Sequence, residues 1–155
     1  MDLGDLISPD GVVATCKANS KKQLLQELAT HASRMTNVDH RIIFDTLLQR
    51  ERLGSTGIGQ GIAIPHGKLA PLDNIVSLFF RLETPIDFDS IDDQPVDLIF
   101  LLLVPEGAGA DHLKALARIS RLLREPASIE KLRSSRNPAS LFAVLTEPAA
   151  SHHAA

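Results

Sequence analysis

One stretch of this chain concentrates residues able to do chemistry. Residues 54–61, Gly54-Ser55-Thr56-Gly57-Ile58-Gly59-Gln60-Gly61, carry four glycines in eight positions, and Ile62-Ala63-Ile64-Pro65-His66-Gly67-Lys68 follows directly. So many glycines rule out a regular helix. They let the backbone approach a ligand and turn several amides toward one point, an arrangement that binds anions. His66 lies between a rigid proline and a permissive glycine. An imidazole is nucleophilic at neutral pH without strong activation, and a phosphoryl group on a ring nitrogen stays reactive enough to be passed on. Arg52, just upstream, can offer a guanidinium fork to phosphoryl oxygens. Ser55 and Thr56 add hydroxyl donors. On residue chemistry alone, a tight loop with a surface histidine accounts for the same residues equally well.

Competing motifs fit worse. Gly57, Gly59 and Gly61 alternate and precede an apolar strand-like piece, which is not the dinucleotide-binding pattern. No Gly-Lys-Ser/Thr closes the loop as in a nucleotide P-loop. Nothing around Ser55 forms a nucleophile elbow, which leaves a small hydrolase with His66 as base without a motif to support it. His112 follows Asp111 where a helix should start. It reads first as a solvent-facing first-turn residue, and second as a partner for an anion held at His66. His31 and His40 fall inside helical patterns and read as structural or exposed. His152 and His153 are a two-histidine tail, which is no metal site. No metal and no cofactor is expected.

The elements that must position these residues follow from periodicity and punctuation. A short strand is expected near residues 12–17, with Cys16 a buried structural thiol. Ser20 can cap a helix whose Leu24, Leu25, Leu28, Ala29, Ala32 and Met35 share one face. Asn37 or Asp39 can cap a second, with Ile42, Ile43, Leu47 and Leu48 inward and Arg50-Glu51-Arg52 at its end. Residues 62–64 form a strand stopped by Pro65, so His66 follows a strand end. Residues 75–82 and 97–104 read as strands, the second apolar throughout as in a central strand covered on both faces. The acid-rich connection at 85–95 reads as exposed, with room for a short edge strand. Asp111 can cap a helix with Leu113, Leu116, Ala117, Ile119, Leu122 and Leu123 inward. Pro126 and Pro138 suit the first turns of two more. The order β-α-α-β-β-β-α-α-α is packed most economically as an α/β fold, a three-layer α/β/α sandwich. Residues 1–148 are expected to form one domain and 149–155 a flexible tail.

Bulk properties narrow the class. A net charge of −3, no basic stripe and no Tyr or Trp argue against nucleic-acid binding. A single cysteine precludes an internal disulfide. The longest apolar run, 98–104, is too short to span a bilayer, and the start of the chain lacks a signal pattern. A cytoplasmic protein without membrane insertion is expected.

Arg50-Glu51-Arg52-Leu53-Gly54-Ser55-Thr56-Gly57, then Gly61-Ile62-Ala63-Ile64-Pro65-His66-Gly67, resembles the active-site signature of the enzyme IIA components of the bacterial phosphotransferase system, mannitol/fructose class. The resemblance is nearest to the nitrogen-regulatory members. It covers nearly the whole chain, including Asp111-His112-Leu113-Lys114-Ala115-Leu116 around a second histidine. It implies a mixed sheet between helical layers, His66 as the phosphorylated residue, and His112 and Arg52 as supporting catalytic residues. Gly54, Ser55, Thr56, Gly57 and Gly67 would bind the phosphoryl group. The implied donor is a histidine-containing phosphocarrier protein, itself charged from an enzyme I that uses phosphoenolpyruvate. The nitrogen-regulatory type implies a switch acting on regulatory protein targets in nitrogen, potassium or carbon-storage physiology. A sugar-specific IIA component passing phosphoryl to a IIB domain is the alternative. A binding module indifferent to phosphorylation, with the acid-rich 87–97 stretch as its partner surface, is a further possibility. Ile58 and Ile62 are candidates for the donor's docking patch, or for core.

Overall fold

The computed structural model describes residues 3–147. The tail expected at 149–155, with His152 and His153, lies outside them. After a 3-10 turn at Leu3–Asp5 come β1 (Ile7–Cys16), α1 (Lys21–Thr36), α2 (His40–Arg52), β2 (Gly57–Gly59), β3 (Ile62–Ala63), β4 (His66–Leu69), β5 (Val76–Ile86), β6 (Val96–Pro105), α3 (Ala110–Leu122), α4 (Pro126–Ser134) and α5 (Pro138–Leu145).

The sheet is six-stranded and mixed, in the order β1-β5-β6-β3-β2, with β4 pairing β6 as well. β5 runs antiparallel to β6, while β3 and β4 both run parallel to it on its other flank. β1 adds parallel to β5 at one edge. Its Pro9 can sit in a strand only because an edge position needs no second ladder partner.

β6 shows why the sheet is covered twice. Side chains alternate along a strand. Leu98, Phe100, Leu102 and Val104 enter one core, with Ile119, Leu122, Leu132 and Leu141 of α3, α4 and α5. Ile99, Leu101 and Leu103 enter the other, with Leu24, Leu28, Ile43 and Leu47 of α1 and α2. The three-layer α/β/α sandwich is therefore the observed architecture.

Local rules account for most boundaries. The Ser20 hydroxyl accepts from the Gln23 amide at 3.1 Å and opens α1. Asp39 opens α2 through the Arg41 amide at 2.9 Å, and Asn37 instead closes α1 in the left-handed region, φ 61°. Pro126 and Pro138 stand in the first turns of α4 and α5.

Several expectations are corrected. β2 and β4 were not expected; both are too short for periodicity to register. Pro85 does not open a separate edge strand but lies within β5, where Ile86 resumes pairing with Val96 after an irregularity. The 85–95 connection is not wholly exposed, since Phe88 and Ser90 are buried. Asp111 does not cap α3; the helix starts one residue earlier, at Ala110, after an N-cap at Gly109. Its buried stripe is Ala115, Arg118, Ile119 and Leu122, leaving Leu113 and Ala117 exposed. Ile42 likewise points outward.

Candidate active site

His66 is placed by a break in strand pairing. β3 leaves β6 at Ala63, and β4 rejoins it at His66, opposite Leu102. Pro65 fills the step with no N–H to satisfy, and its carbonyl accepts from the Leu102 amide at 3.0 Å. His66 thus follows the end of β3, as expected, and also begins a further short strand, β4.

The two ring nitrogens of His66 have different partners. Nδ1 lies 2.9 Å from the Ile64 carbonyl, which can only accept, so Nδ1 carries the proton. Nε2 then holds the lone pair, and Arg50 Nε–H donates to it at 3.3 Å. One tautomer satisfies both contacts.

Helix α2 brings Arg50 over the ring. A Cβ on Gly67 would lie 2.7 Å from the Thr46 methyl, so glycine at 67 lets α2 sit close on β4. Arg50 is one turn beyond Thr46 on the same face. Its Nη1 also donates to the Gly54 carbonyl at 2.9 Å. Arg52, the arginine expected here, is exposed and makes no hydrogen bond to His66. Two residues on a helix are separated by about 200°, so Arg50 and Arg52 face opposite ways. Arg50, the first residue of the quoted signature, is the one beside the ring.

His112 arrives from the first turn of α3. Its ring centroid is 5.7 Å from that of His66. Burial, then the neighbouring His66 and Lys68, lower its pKa below the ordinary histidine value. It is therefore neutral at pH 7, and its buried Nε2 has no hydrogen-bond partner. An unpaired buried polar atom is costly, and a group arriving between the rings would relieve that cost. An open cleft of about 490 Å³ lies here, lined by Thr46, Gln49, Arg50, Leu53, His66, Gly67, Lys68 and His112. Its charged residues are Arg50 and Lys68, both cationic, with no carboxylate in the lining. Leu53 and Leu113, 85% and 69% exposed, flank this region in sequence and carry apolar surface.

The glycine loop is not the open amide nest expected. Thr56 is buried, with its amide on Glu51 Oε1 at 3.1 Å and its hydroxyl on Glu51 Oε2 at 2.5 Å. Ser55 donates to the Phe88 carbonyl at 2.6 Å and accepts from the Gly57 amide at 3.0 Å. The Gly54 amide goes to the Glu51 carbonyl. Of the residues expected to hold the phosphoryl group, only Gly67 lines the cleft. Gly54, Ser55, Thr56 and Gly57 support it from behind. The loop glycines serve close packing: a Cβ on Gly57 would collide with Ser90, and one on Gly61 with Asp97 and Arg133.

Other singled-out residues lie elsewhere. Ile62 is core, while Ile58 is half exposed. Asp92, in the acid-rich segment, accepts from the Gln60 and Gln94 amides, which hold its carboxyl below the usual range. His31 contacts the Asp10 carbonyl at 2.6 Å, far from the cleft in the fold, and His40 is exposed at the start of α2. Cys16 is buried, and burial pushes its thiol pKa up. Sequence reasoning missed Glu51 and Lys68 as well as the role of Arg50. A buried glutamate beside an arginine in a helix's last turn carries no periodic signal of its own. Among the described residues, no cluster of three or more His, Cys, Asp or Glu could hold a metal ion, and no helix is long and apolar enough to cross a membrane.

The arrangement can do one thing well. It presents an unprotonated imidazole nitrogen in a cationic cleft, beside a second imidazole whose Nε2 has nothing to bond. That suits capture of an anionic electrophile such as a phosphoryl group.

Known proteins share this arrangement of elements. The chain is 57% identical over 150 residues to a nitrogen regulatory protein of Bradyrhizobium diazoefficiens, covering 97% of this chain and 98% of that protein. It is 38% identical over 125 residues to a fructose-specific EIIA component of Haloferax volcanii, covering 81% of this chain and 80% of that one. The crystal structure of the nitrogen regulatory protein IIA-Ntr of Neisseria meningitidis superposes with a TM-score of 0.88 at 36% identity, covering 93% of this chain and 99% of that chain. Residues 5–147 match the family described as phosphoenolpyruvate-dependent sugar phosphotransferase system, EIIA 2. The chain therefore belongs to the EIIA 2 family of that phosphotransferase system and is a IIA-type phosphoryl carrier with nitrogen-regulatory relatives.

Proposed function

We propose that the chain accepts a phosphoryl group on His66 Nε2 from a histidine-containing phosphocarrier protein, and that its phosphorylation state is read by regulatory protein targets. The observation that supports this most is the fixed tautomer. Nδ1–H is bound to the Ile64 carbonyl, so the lone pair can reside only on the nitrogen that meets Arg50.

Transfer is an in-line displacement. The Nε2 lone pair forms a new N–P bond as the N–P bond to the donor's imidazole breaks, and that imidazole leaves with its electron pair. Arg50 gives up its contact with Nε2 and turns its N–H groups to the phosphoryl oxygens. His112 lines the same cleft and, in the tautomer with its proton on Nε2, would donate to a second oxygen, and Lys68 adds positive charge. Positioning and charge stabilisation supply the catalysis. Exposed Leu53 and Leu113 offer the protein donor an apolar rim, in place of the buried Ile62.

Similarity to the fructose-specific protein supports a second reading, in which the phosphoryl group moves on to a IIB domain. Purified chain, labelled and then mixed with a IIB domain, separates the two. Retention of the label favours the regulatory reading, and rapid transfer to a IIB cysteine favours sugar uptake. The acceptor assignment is tested by incubation with phosphoenolpyruvate, enzyme I and the phosphocarrier. An acid-labile, base-stable phosphoryl group should appear in the wild type and not in His66→Ala.

A further inference from the structure

We infer that Glu51 is the positioning residue that fixes both ring nitrogens of His66. The inference rests on His66 as the phosphoryl acceptor and extends it to a side chain that never meets the phosphoryl group.

Glu51 lies in the last turn of α2 and is only 7% exposed. Its carboxylate is fully engaged. Oε1 accepts from the Thr56 amide at 3.1 Å and pairs with the Lys21 ammonium of α1 at 3.0 Å; Oε2 accepts from the Thr56 hydroxyl at 2.5 Å. Lys21 also reaches the Phe88 carbonyl at 3.4 Å and lies 4.5 Å over the Phe88 ring. That carbonyl is the acceptor for Ser55. A well-packed apolar side chain would often fill such a space at no loss of stability. What the carboxylate adds is a defined geometry for residues 54–56.

Two arms run from this clamp to the ring. In the first, Thr56 presents its carbonyl to the Ile64 amide at 3.0 Å, and the Ile64 carbonyl receives His66 Nδ1–H at 2.9 Å. In the second, the carboxylate's hold on Thr56 keeps residues 54–56 turned back onto the end of α2, where the Gly54 amide meets the backbone carbonyl of Glu51 at 3.1 Å and the Gly54 carbonyl holds Arg50 Nη1 at 2.9 Å, leaving Arg50 Nε on His66 Nε2. One arm sets which nitrogen is protonated, and the other sets what faces the free lone pair. If residues 54–56 relax, the ring can adopt the other tautomer, whose lone pair lies at Nδ1 and away from the cleft. Outer partners that orient a ligating or reacting histidine commonly matter by roughly 10- to 100-fold in activity.

The test combines a rate with a spectroscopic signature. In ¹⁵N-labelled wild-type protein, His66 should show a protonated Nδ1 and an unprotonated Nε2 as a single form. Glu51→Gln, which keeps the shape and faces Lys21 without a charge, should show a mixture of tautomers. It should also take up phosphoryl groups roughly 10- to 100-fold more slowly. A Glu51→Gln protein with slow uptake but an unchanged tautomer would overturn the inference, because a general structural loss would explain it. So would an unchanged tautomer with unchanged uptake. If Glu51→Gln does not fold, Thr56→Val removes only the hydroxyl bond. It should shift both readouts in the same direction, and wild-type values in it would refute the role. If wild-type protein takes up no label, the acceptor assignment falls, while the tautomer comparison still decides on Glu51 by itself.

Discussion

A histidine ring has two nitrogens, and chemistry at one depends on what holds the other. In this chain the Ile64 carbonyl takes the Nδ1 proton, and Arg50 covers the Nε2 lone pair. Arg50→Ala should therefore lower phosphoryl uptake by roughly 10²- to 10³-fold, the usual loss when a charge-stabilising donor is removed. Arg52→Ala should stay close to wild type, and equal losses in the two variants would contradict the placement. His112 gives a pH prediction. Its folded pKa is lowered by burial, then by His66 and Lys68. The neutral form is thus favoured by the fold, and the unfolded chain binds the proton more readily. Its contribution is fully present above the ordinary pKa of about 6.5 and is lost as pH falls from there through the folded value. His112→Gln should flatten stability against pH in that window. A phosphoryl dianion on His66 should raise the His112 pKa, seen as an upfield-to-downfield ring titration moving to higher pH. At this scale the sequence was legible in kind but not in phase. The signature marked an arginine, two histidines and a loop, yet composition could not say which of Arg50 and Arg52 turns inward. Nor could it say that Ser55 and Thr56 spend their hydroxyls on the fold.

Helix α2 and strand β4 make the site by lying close together, and Gly67 is where they touch. Gly67→Ala puts a Cβ 2.7 Å from the Thr46 methyl. Overpacking of this kind costs about 1–3 kcal/mol, and the shift should also lift Arg50 from His66. Urea unfolding and phosphoryl uptake should both suffer, and Thr46→Ala should recover part of each. Simple additivity of the two substitutions would argue that the contact is not the cause. The long elements were readable because burial repeats along them: Leu24, Leu28 and Ala32 on α1, and the alternating β6. β2 and β4 were not, since three or four residues with glycines hold no period. On α3, Leu116, Ile119, Leu122 and Leu123 face the core as expected, while Ala115 and Arg118 rather than Leu113 and Ala117 complete the buried stripe.

The whole molecule is a mixed sheet with two cores, and the site sits where the sheet's interrupted flank meets helices from both layers. α2 brings Arg50 from one side, and α3 brings His112 from the other. β6 is the common support, so Leu102→Ala, beside His66 in register, should cost about 2–5 kcal/mol in chemical denaturation. A cost near zero would show that β6 does not bear on the site as described. The three-layer fold was evident in the order of elements, because strands flanked in sequence by helices on both sides have few ways to bury both faces. Convergence of Arg50, His66, Lys68 and His112 was not, since nothing local in residues 50–68 specifies contact with residue 112. One measurement bears most directly on His66 as the phosphoryl acceptor. Wild-type chain and His66→Ala are each incubated with phosphoenolpyruvate, enzyme I and the phosphocarrier, and intact mass is recorded with the acid and base lability of any adduct. The expected result is a single acid-labile, base-stable phosphoryl group on the wild type and none on His66→Ala. Equal labelling of both proteins, or an acid-stable adduct, would contradict it.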